Sequence, residues 1–485
     1  MSYLSPPRIL IAALRGGAGK TLLSLGLIGA FKKQGKKIAP FKKGPDYIDA
    51  AWLTLAAQNP CHNLDLFLMK REAVPYSFWE HTLNADLSIV EGNRGLYDGL
   101  DATGSQSTAE LAKLIETPVI LIVDGDKITR TAAALVLGCQ RMDAQVDIKG
   151  VILNKVARPR HEKVMRKAIE DACNLPVLGA IPRCMNFPFP ERHLGLIPPW
   201  EHNLVSDVLR RAEELVVNNV NLEQVWEIAQ RASPLRQDIL TEIEEMETGA
   251  VRRPSYKKFT VGVIKDSAFQ FYYPENLQAL EKRGATILEI SAIKENSLPA
   301  VDALYIGGGF PETNAEYLAN NLSFRNSVRQ AVEDGLPIYA ECGGLMFLGE
   351  SLTMGTKKYP MVGALPIAFA MERQPQGHGY TILKVSQKNP FFPIGLHLHG
   401  HEFHYSRVLW FKERPAYLAC QVKRGMGIDG QMDGFCYNNV LGMFSHLHVA
   451  GCPEWADGVA KSAVAHHLRK ETSRGMGWKR REVRP

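Results

Sequence analysis

The feature that most restricts how this chain folds is a strand that stops at a cysteine. Residues 336–340 are largely apolar, Glu341-Cys342-Gly343-Gly344 follows, and Leu345-Met346-Phe347-Leu348 then reads as the start of a helix. A buried strand that turns at once into a helix belongs in a parallel sheet, and the turn presents one side chain at the top of that sheet. Glycine after the cysteine permits strained backbone and keeps a Cβ away from whatever approaches the thiol. Two readings follow: a nucleophile on a tight turn, or a buried structural cysteine, the common fate of a free thiol.

With 485 residues the chain exceeds one ordinary core, and two or three domains are expected. Hydrophobic residues make up 45% and charged residues 22%, the balance of a soluble globular protein. No apolar run reaches the length of a membrane span, and the first ten residues carry no signal-peptide pattern. Eight scattered cysteines with no C-x-x-C pair point to a reducing, cytoplasmic setting and away from a disulfide framework or zinc ribbon. The net charge of +6 suits a small polyanionic substrate. Neither a nucleic-acid nor a membrane partner is indicated, and a homodimer is compatible with the composition.

Along the chain, strands alternate with helices. Residues 8–14 form an apolar strand after Arg8, and 21–33 read as a helix. Further strands are expected at 87–90, 119–123 and 150–153, with helices at 107–115 and 160–173. This is the pattern of a parallel α/β sheet. Residues 182–199 are proline-rich loop, and 203–250 look helical. A second alternation begins at 259, with a helix near 274–283 and strands at 286–290 and 303–306.

Leu14-Arg15-Gly16-Gly17-Ala18-Gly19-Lys20-Thr21 lies between the first strand and the first helix, the context of a phosphate-binding loop. Its glycines let backbone N–H groups wrap phosphate oxygens at a positive helix N-terminus. Lys20 is expected on the β- and γ-phosphates of ATP, and the Thr21 hydroxyl on Mg²⁺. Leu14 stands where the usual pattern has its first glycine, and Arg15 followed by two glycines resembles the deviant loop of the MinD-like and dethiobiotin-synthetase-like group. Two carboxylate clusters follow: Asp46, Tyr47 and Asp49 after the strand-like 38–41, and Glu91 and Asp98 around the strand 87–90. Ligands of open α/β sheets bind at such strand ends. Thr21, Asp46 and Glu91 are therefore the candidate Mg²⁺ ligands, and Asp46, Tyr47, Asp49, Glu91 and Asp98 the candidate acceptor and phosphoryl-transfer site. The alternative for each aspartate is a turn former. Asn154, at the end of another strand, is a candidate for reading the nucleotide base.

A thiol nucleophile needs a base. Histidines cluster at 397, 399, 401, 404, 446 and 448. Their spacing does not match H-E-x-x-H. Ser445-His446-Leu447-His448 follows the strand-like 439–444, and periodicity alone does not choose between His446 and His448.

The chain resembles the cobyrinic acid a,c-diamide synthase family. The likeness rests on residues 41–49, Glu91-Gly92 through Gly95-Leu96-Tyr97-Asp98-Gly99, Glu191 to Leu196, Ala268 to Leu277, Gly307 to Glu312, the Cys342 turn, Gly400 to Ser406 and Ser445 to His448. It implies an α/β protein with two doubly wound, mostly parallel-sheet domains. A P-loop NTPase-like, dethiobiotin-synthetase-like domain (1–235) would be followed by a linker (236–258), a class I glutaminase-like domain (259–470) and a flexible basic tail (471–485). It implies glutamine as nitrogen donor, ATP and Mg²⁺, and an anionic tetrapyrrole as acceptor. Cys342 would be the nucleophile and His446 its base. His448 stands where the wider class I pattern has a glutamate and is the candidate third member. Gly308, Gly309 and Gly343 would form the oxyanion hole. Arg192, His193 and Tyr405 are expected against the macrocycle. Asn93-Arg94 and Arg15 depart from the family pattern near the acceptor site, and relatives amidating siroheme, sirohydrochlorin or hydrogenobyrinic acid are the alternatives. A MinD/ParA-like ATPase switch is the rival reading outside the enzyme class.

Overall fold

The structure, a computed structural model, describes residues 6–183, 191–192, 195–196, 198–199, 204–234, 256–412 and 416–479. The side chain of Arg192, residue His193, most of the expected linker and the end of the tail lie outside them. The chain divides into two units: Met1–Leu66 with Lys70–Ala250, and Phe67–Met69 with Val251–Pro485.

The first unit is built on seven strands: β1 (Arg8–Ala13), β2 (Ile38–Lys43), β3 (His62–Leu64), β4 (Leu87–Glu91), β5 (Val119–Asp124), β6 (Ile148–Val156) and β7 (Val177–Pro182). Their order is β3-β2-β4-β1-β5-β6-β7, and all neighbours are parallel. Strands covered on both faces read as continuous apolar runs, and every residue of β1 is buried. β1 is central: the chain leaves it for β2 and β3, returns to β4 at its side, then crosses to β5. The C-terminal ends of β1, β2 and β4 therefore meet at one edge, where a ligand crevice forms in open α/β sheets.

Helix α1 (Lys20–Lys33) packs against the helix Val205–Asn219. A Cβ on Gly26 would stand 2.4 Å from the Ala212 carbonyl oxygen and 2.3 Å from Val216 Cγ2. Only glycine lets the two helices approach this closely.

The second unit holds a ten-stranded sheet. Ala285–Ile290, Phe259–Ile264, Ala303–Ile306, Ile338–Glu341 and Val440–Met443 run parallel in that order. The sheet continues, antiparallel, through Met432–Tyr437, Tyr417–Arg424, Gly377–Val385, His397–His404 and His446–Leu447. The sequence pattern does not mark this antiparallel half, because half-buried strands there carry histidines and charges in place of clean apolar runs. The helix from Pro453 runs to Lys479, so residues 471–479, expected as flexible tail, belong to it. Extending a formed helix costs far less than nucleating one, and the Thr472 hydroxyl bonds back to the Leu468 carbonyl at 2.9 Å.

The Gly26 contact gives a direct test. Gly26→Ala gains about 1 kcal/mol of helix propensity, but forced overpacking costs about 1–3 kcal/mol. Chemical denaturation should show a net loss of stability in the first unit; a gain would mean that the two helices do not pack in this way.

Candidate active sites

In the first unit, Gly17 (φ 69°) and Gly19 (φ 97°) bend the loop between β1 and α1 through left-handed backbone. A Cβ on Gly16 or Gly17 would meet nothing within 4 Å, whereas one on Gly19 would lie 2.3 Å from Asn154 Nδ2. The loop is thus open on one side and tightly backed on the other. The N-terminus of α1 has no side-chain cap and no acid in its first turn. By contrast, helix α2 (Tyr47–Ala57) is capped by Asp46 Oδ1, which accepts from the backbone N–H groups of Ile48 and Asp49, each at 2.9 Å. Uncapped N–H groups at the positive end of a helix dipole form a seat for an anion.

Below this seat lies a buried charge cluster. Thr21 Oγ1 donates to Glu91 Oε1 at 2.8 Å. Lys42 Nζ donates to the same oxygen at 2.7 Å and to Asp49 Oδ2 at 2.5 Å. Glu91 Oε2 is buried with no hydrogen-bond partner. A threonine hydroxyl beside a carboxylate with one unused oxygen is a hard-oxygen donor set that fits Mg²⁺. Burial pushes the Glu91 carboxyl up against the pull of Lys42. Burial also opposes the charge on Lys42, but Asp49 and Glu91 outweigh it and hold that lysine above its ordinary value. Lys20 Nζ donates to the carbonyls of Arg94 at 2.6 Å and Arg15 at 3.4 Å. Burial, reinforced by Lys42, lowers Lys20 to about 8. Asp46 is pushed up to about 7 by burial and by Asp49.

Three of the candidate residues bond to nearby backbone. Asn154, expected to read a base, donates from Nδ2 to the Ala18 carbonyl at 2.8 Å and accepts from the Lys155 N–H at 2.8 Å. Its amide braces the phosphate loop, because the strand end carrying it lies directly behind Gly19. Asp98 accepts from the Gly95 N–H at 2.8 Å, as a turn former does. Asp46 commits one oxygen to capping α2. Lys42 was overlooked as a site residue, although a lysine inside a strand that is otherwise buried is the signal for a buried ion pair. Asp124, which pairs with Arg15 at 2.7 Å and Lys155 at 2.9 Å, was also overlooked.

In the second unit, Cys342 has φ 46° and ψ −101°, a strained conformation for a residue with a Cβ. Its N–H donates to the Met443 carbonyl at 2.7 Å, which holds the turn against the neighbouring strand. Glycine is obligatory two residues on: a Cβ on Gly344 would stand 2.3 Å from the Ile306 carbonyl oxygen. The thiol is buried. That burial, with the negative charge of Glu312 adding to it, raises its pKa far above that of an ordinary cysteine. Such a thiol stays protonated until a base takes its proton.

The His446 ring meets the same region. A Cβ on Gly308 would lie 2.4 Å from His446 Cε1, and the Gly309 nitrogen is 3.2 Å from where a Gly343 Cβ would stand. The three glycines expected in the oxyanion hole are therefore gathered around the cysteine turn and the histidine. Gly308 is fixed through its carbonyl, which accepts from the Gln270 and Phe271 N–H groups, each at 3.1 Å. The Tyr272 hydroxyl accepts from the Gly307 N–H at 2.8 Å. His446 stacks on His401 with ring centroids 4.9 Å apart, and its Nδ1 lies 3.5 Å from Glu341 Oε2.

His448, expected as the third member, is engaged elsewhere. Its Nε2 faces Glu275 Oε2 at 3.6 Å, its Nδ1 accepts from the Ala450 N–H at 3.1 Å, and its ring packs on Tyr273. It lies just beyond the end of the short strand His446–Leu447.

Two family models match the chain. A CobQ/CobB/MinD/ParA nucleotide binding domain covers residues 9–196, and a CobB/CobQ-like glutamine amidotransferase domain covers 260–453. A cobyrinate a,c-diamide synthase from Magnetococcus marinus is 42% identical over 94% of this chain and 97% of its own length. Another from Archaeoglobus fulgidus is 39% identical over 91% and 94%. The chain belongs to the cobyrinate a,c-diamide synthase family. The expected resemblance and the expected class of enzyme, a glutamine-hydrolysing carbon–nitrogen ligase with a nucleotide-binding domain, both hold. The rival reading as a MinD/ParA-like switch does not account for a match that extends over the amidotransferase domain. Among solved structures, a glutamine amidotransferase shares 21% identity over 42% of this chain and 98% of its own, with a TM-score of 0.32. PurLQS from Thermotoga maritima shares 16% over 44% and 99%, with a TM-score of 0.33. No described helix of the chain is long and apolar enough to cross a membrane.

The state of Lys20 supplies a pH test. With a pKa near 8, this amine loses its charge as pH rises from 7 to 9, and a neutral amine does not attract phosphate. Nucleotide affinity measured by calorimetry should fall over that interval. A flat profile would separate Lys20 from the phosphate.

Proposed function

We propose that this enzyme amidates the a and c acetate side chains of cobyrinic acid, using ATP and glutamine, through an acyl phosphate. One observation carries the proposal. Two reactive strand ends of different chemistry stand in one chain: an open phosphate loop above a carboxylate with an unused oxygen, and a strained cysteine turn ringed by glycine backbone and His446.

In the glutaminase half, His446 takes the Cys342 proton, and the thiolate attacks the glutamine amide carbon. The Gly308, Gly309 and Gly343 backbone N–H groups are the donors available to the developing oxyanion. The C–N bond breaks as His446 returns the proton to the leaving nitrogen, and ammonia departs, leaving a thioester that water then hydrolyses. In the synthetase half, the acetate oxygen attacks the γ-phosphorus of ATP seated on Gly16 to Thr21, the bond from that phosphorus to the β,γ-bridging oxygen breaks, and ADP leaves. Lys20 neutralises charge on the transferred group. Mg²⁺ would be held by Thr21 and Glu91, with Asp46 a further candidate, and would supply charge neutralisation at the phosphates. Asp49, with its Lys42 partner, and Tyr47 are candidates to orient the acceptor, and Asp98 shapes the loop after Glu91. The acyl phosphate then takes ammonia and loses phosphate, a step a free carboxylate does not undergo. Among the described residues no two cysteines are joined by a disulfide, in keeping with a reducing, cytoplasmic compartment.

Cys342→Ala should lose at least 10³-fold of the glutamine-driven rate and keep the ammonium-driven rate, whereas Lys20→Ala should lose both. The substrate is tested by incubating the enzyme with ATP, glutamine and, in turn, cobyrinic acid, sirohydrochlorin and siroheme. High-resolution product masses should report two amidations on cobyrinic acid. Turnover of another tetrapyrrole alone would overturn the assignment of the acceptor.

A further inference from the structure

Several titratable groups of the described residues stand around His446, with Glu312 and Glu402 acting on the neighbouring Cys342 thiol. His401 stacks on its face, the Cys342 turn lies across the glycine loop, and Glu341 faces Nδ1 at 3.5 Å. His448, the one candidate that sequence offered as a partner, is turned to Glu275. Glu341 is unlike an ordinary strand residue. It is buried at the end of the central strand, immediately before the nucleophile. Its Oε1 accepts from the Tyr339 hydroxyl at 3.1 Å and from the Leu447 N–H at 3.1 Å. Its Oε2 accepts from the Tyr305 hydroxyl at 3.0 Å. A carboxylate oxygen accepts two hydrogen bonds, so Oε2 keeps one site, on the oxygen that faces His446.

We infer that Glu341 is the positioning carboxylate of the glutaminase. It fills the place that class I chemistry gives to a third residue, but it comes from the nucleophile's own strand and not from the strand of the base. The inference rests on the proposed roles of Cys342 and His446. Three donors, two of them tyrosine hydroxyls buried in the core, lock the carboxylate so that it cannot swing toward Cys342. An N–H at Nδ1 pointed at Oε2 leaves Nε2 unprotonated and able to accept the thiol proton, and the negative charge stabilises the imidazolium that results. The Leu447 N–H bond ties the same carboxylate to the backbone next to His446, so orienter and base move together. A separation of 3.5 Å is loose for a hydrogen bond, and such contacts tighten when substrate binds.

The test uses the full-length enzyme. Glu341→Gln keeps the shape and the tyrosine contacts but removes the charge. It should lower kcat for glutamine hydrolysis by about 10²-fold with little change in the KM for glutamine, while the ammonium-driven ligase rate stays intact. Without the carboxylate the imidazolium is less stable, so the acidic limb of kcat/KM should move to lower pH. Glu341→Asp should recover part of the rate. Tyr305→Phe removes a core hydrogen bond without touching the charge, and should leave the acidic limb in place. Thermal denaturation of each variant separates loss of fold from loss of function. If Cys342→Ala abolishes glutamine use while Glu341→Gln leaves kcat and the pH limb unchanged, Glu341 is structural and this inference falls alone. If Cys342→Ala leaves glutamine use intact, the nucleophile reading itself falls.

Discussion

A parallel sheet brings the C-terminal ends of its strands to one edge, and every reactive group in this enzyme depends on that constraint. Apolar strands such as β1 and Ile338–Glu341 are held in register by their neighbours, so the residue that follows each strand is fixed in space before any side chain chooses a rotamer. The phosphate loop follows β1, Asp46 follows β2, and Glu91 ends β4. In the second unit Cys342 follows one strand and His446 follows its neighbour, where Glu341 pairs with Met443. The strain at Cys342 persists because its N–H is bonded to Met443 and Gly344 is pressed on Ile306, contacts that the sheet enforces.

Each unit keeps a buried carboxylate at this edge, and the two are held in opposite ways. Glu91 is bound on one oxygen by Lys42 and Thr21, with its second oxygen left unsatisfied. Such a group gains by taking a cation, since an unpaired buried carboxylate oxygen costs about 1–3 kcal/mol or more. Glu341 accepts three hydrogen bonds from uncharged donors, which fix its direction without cancelling its charge. The first arrangement suits a metal and a phosphate, the second a base that must become positive for an instant.

The two strand-to-helix turns were legible in the sequence because glycine next to Cys342 and around Lys20 has few other reasons to occur between a strand and a helix. Glu341 was not legible, because a carboxylate one residue before a nucleophile reads as part of the strand, and only the fold shows that its side chain meets His446. The choice between His446 and His448 was hidden for a related reason: alternate residues share a face, so periodicity gives both the same direction. Asn154 has a residue type that reads bases as readily as it braces loops, and only its distance to Ala18 distinguishes the two. The antiparallel half of the second sheet escaped because its strands lack the continuous apolar runs that mark the parallel half.

The central claim is that the strained turn at Cys342 is where glutamine is opened. A chloroketone analogue of glutamine places an alkylating carbon at the position of the amide. Incubation of the intact enzyme with this reagent, followed by digestion and mass mapping, should show one modified residue, Cys342, with protection by added glutamine. Modification confined to other cysteines, or an unmodified Cys342 in an enzyme whose glutamine-driven activity is lost, would contradict the account.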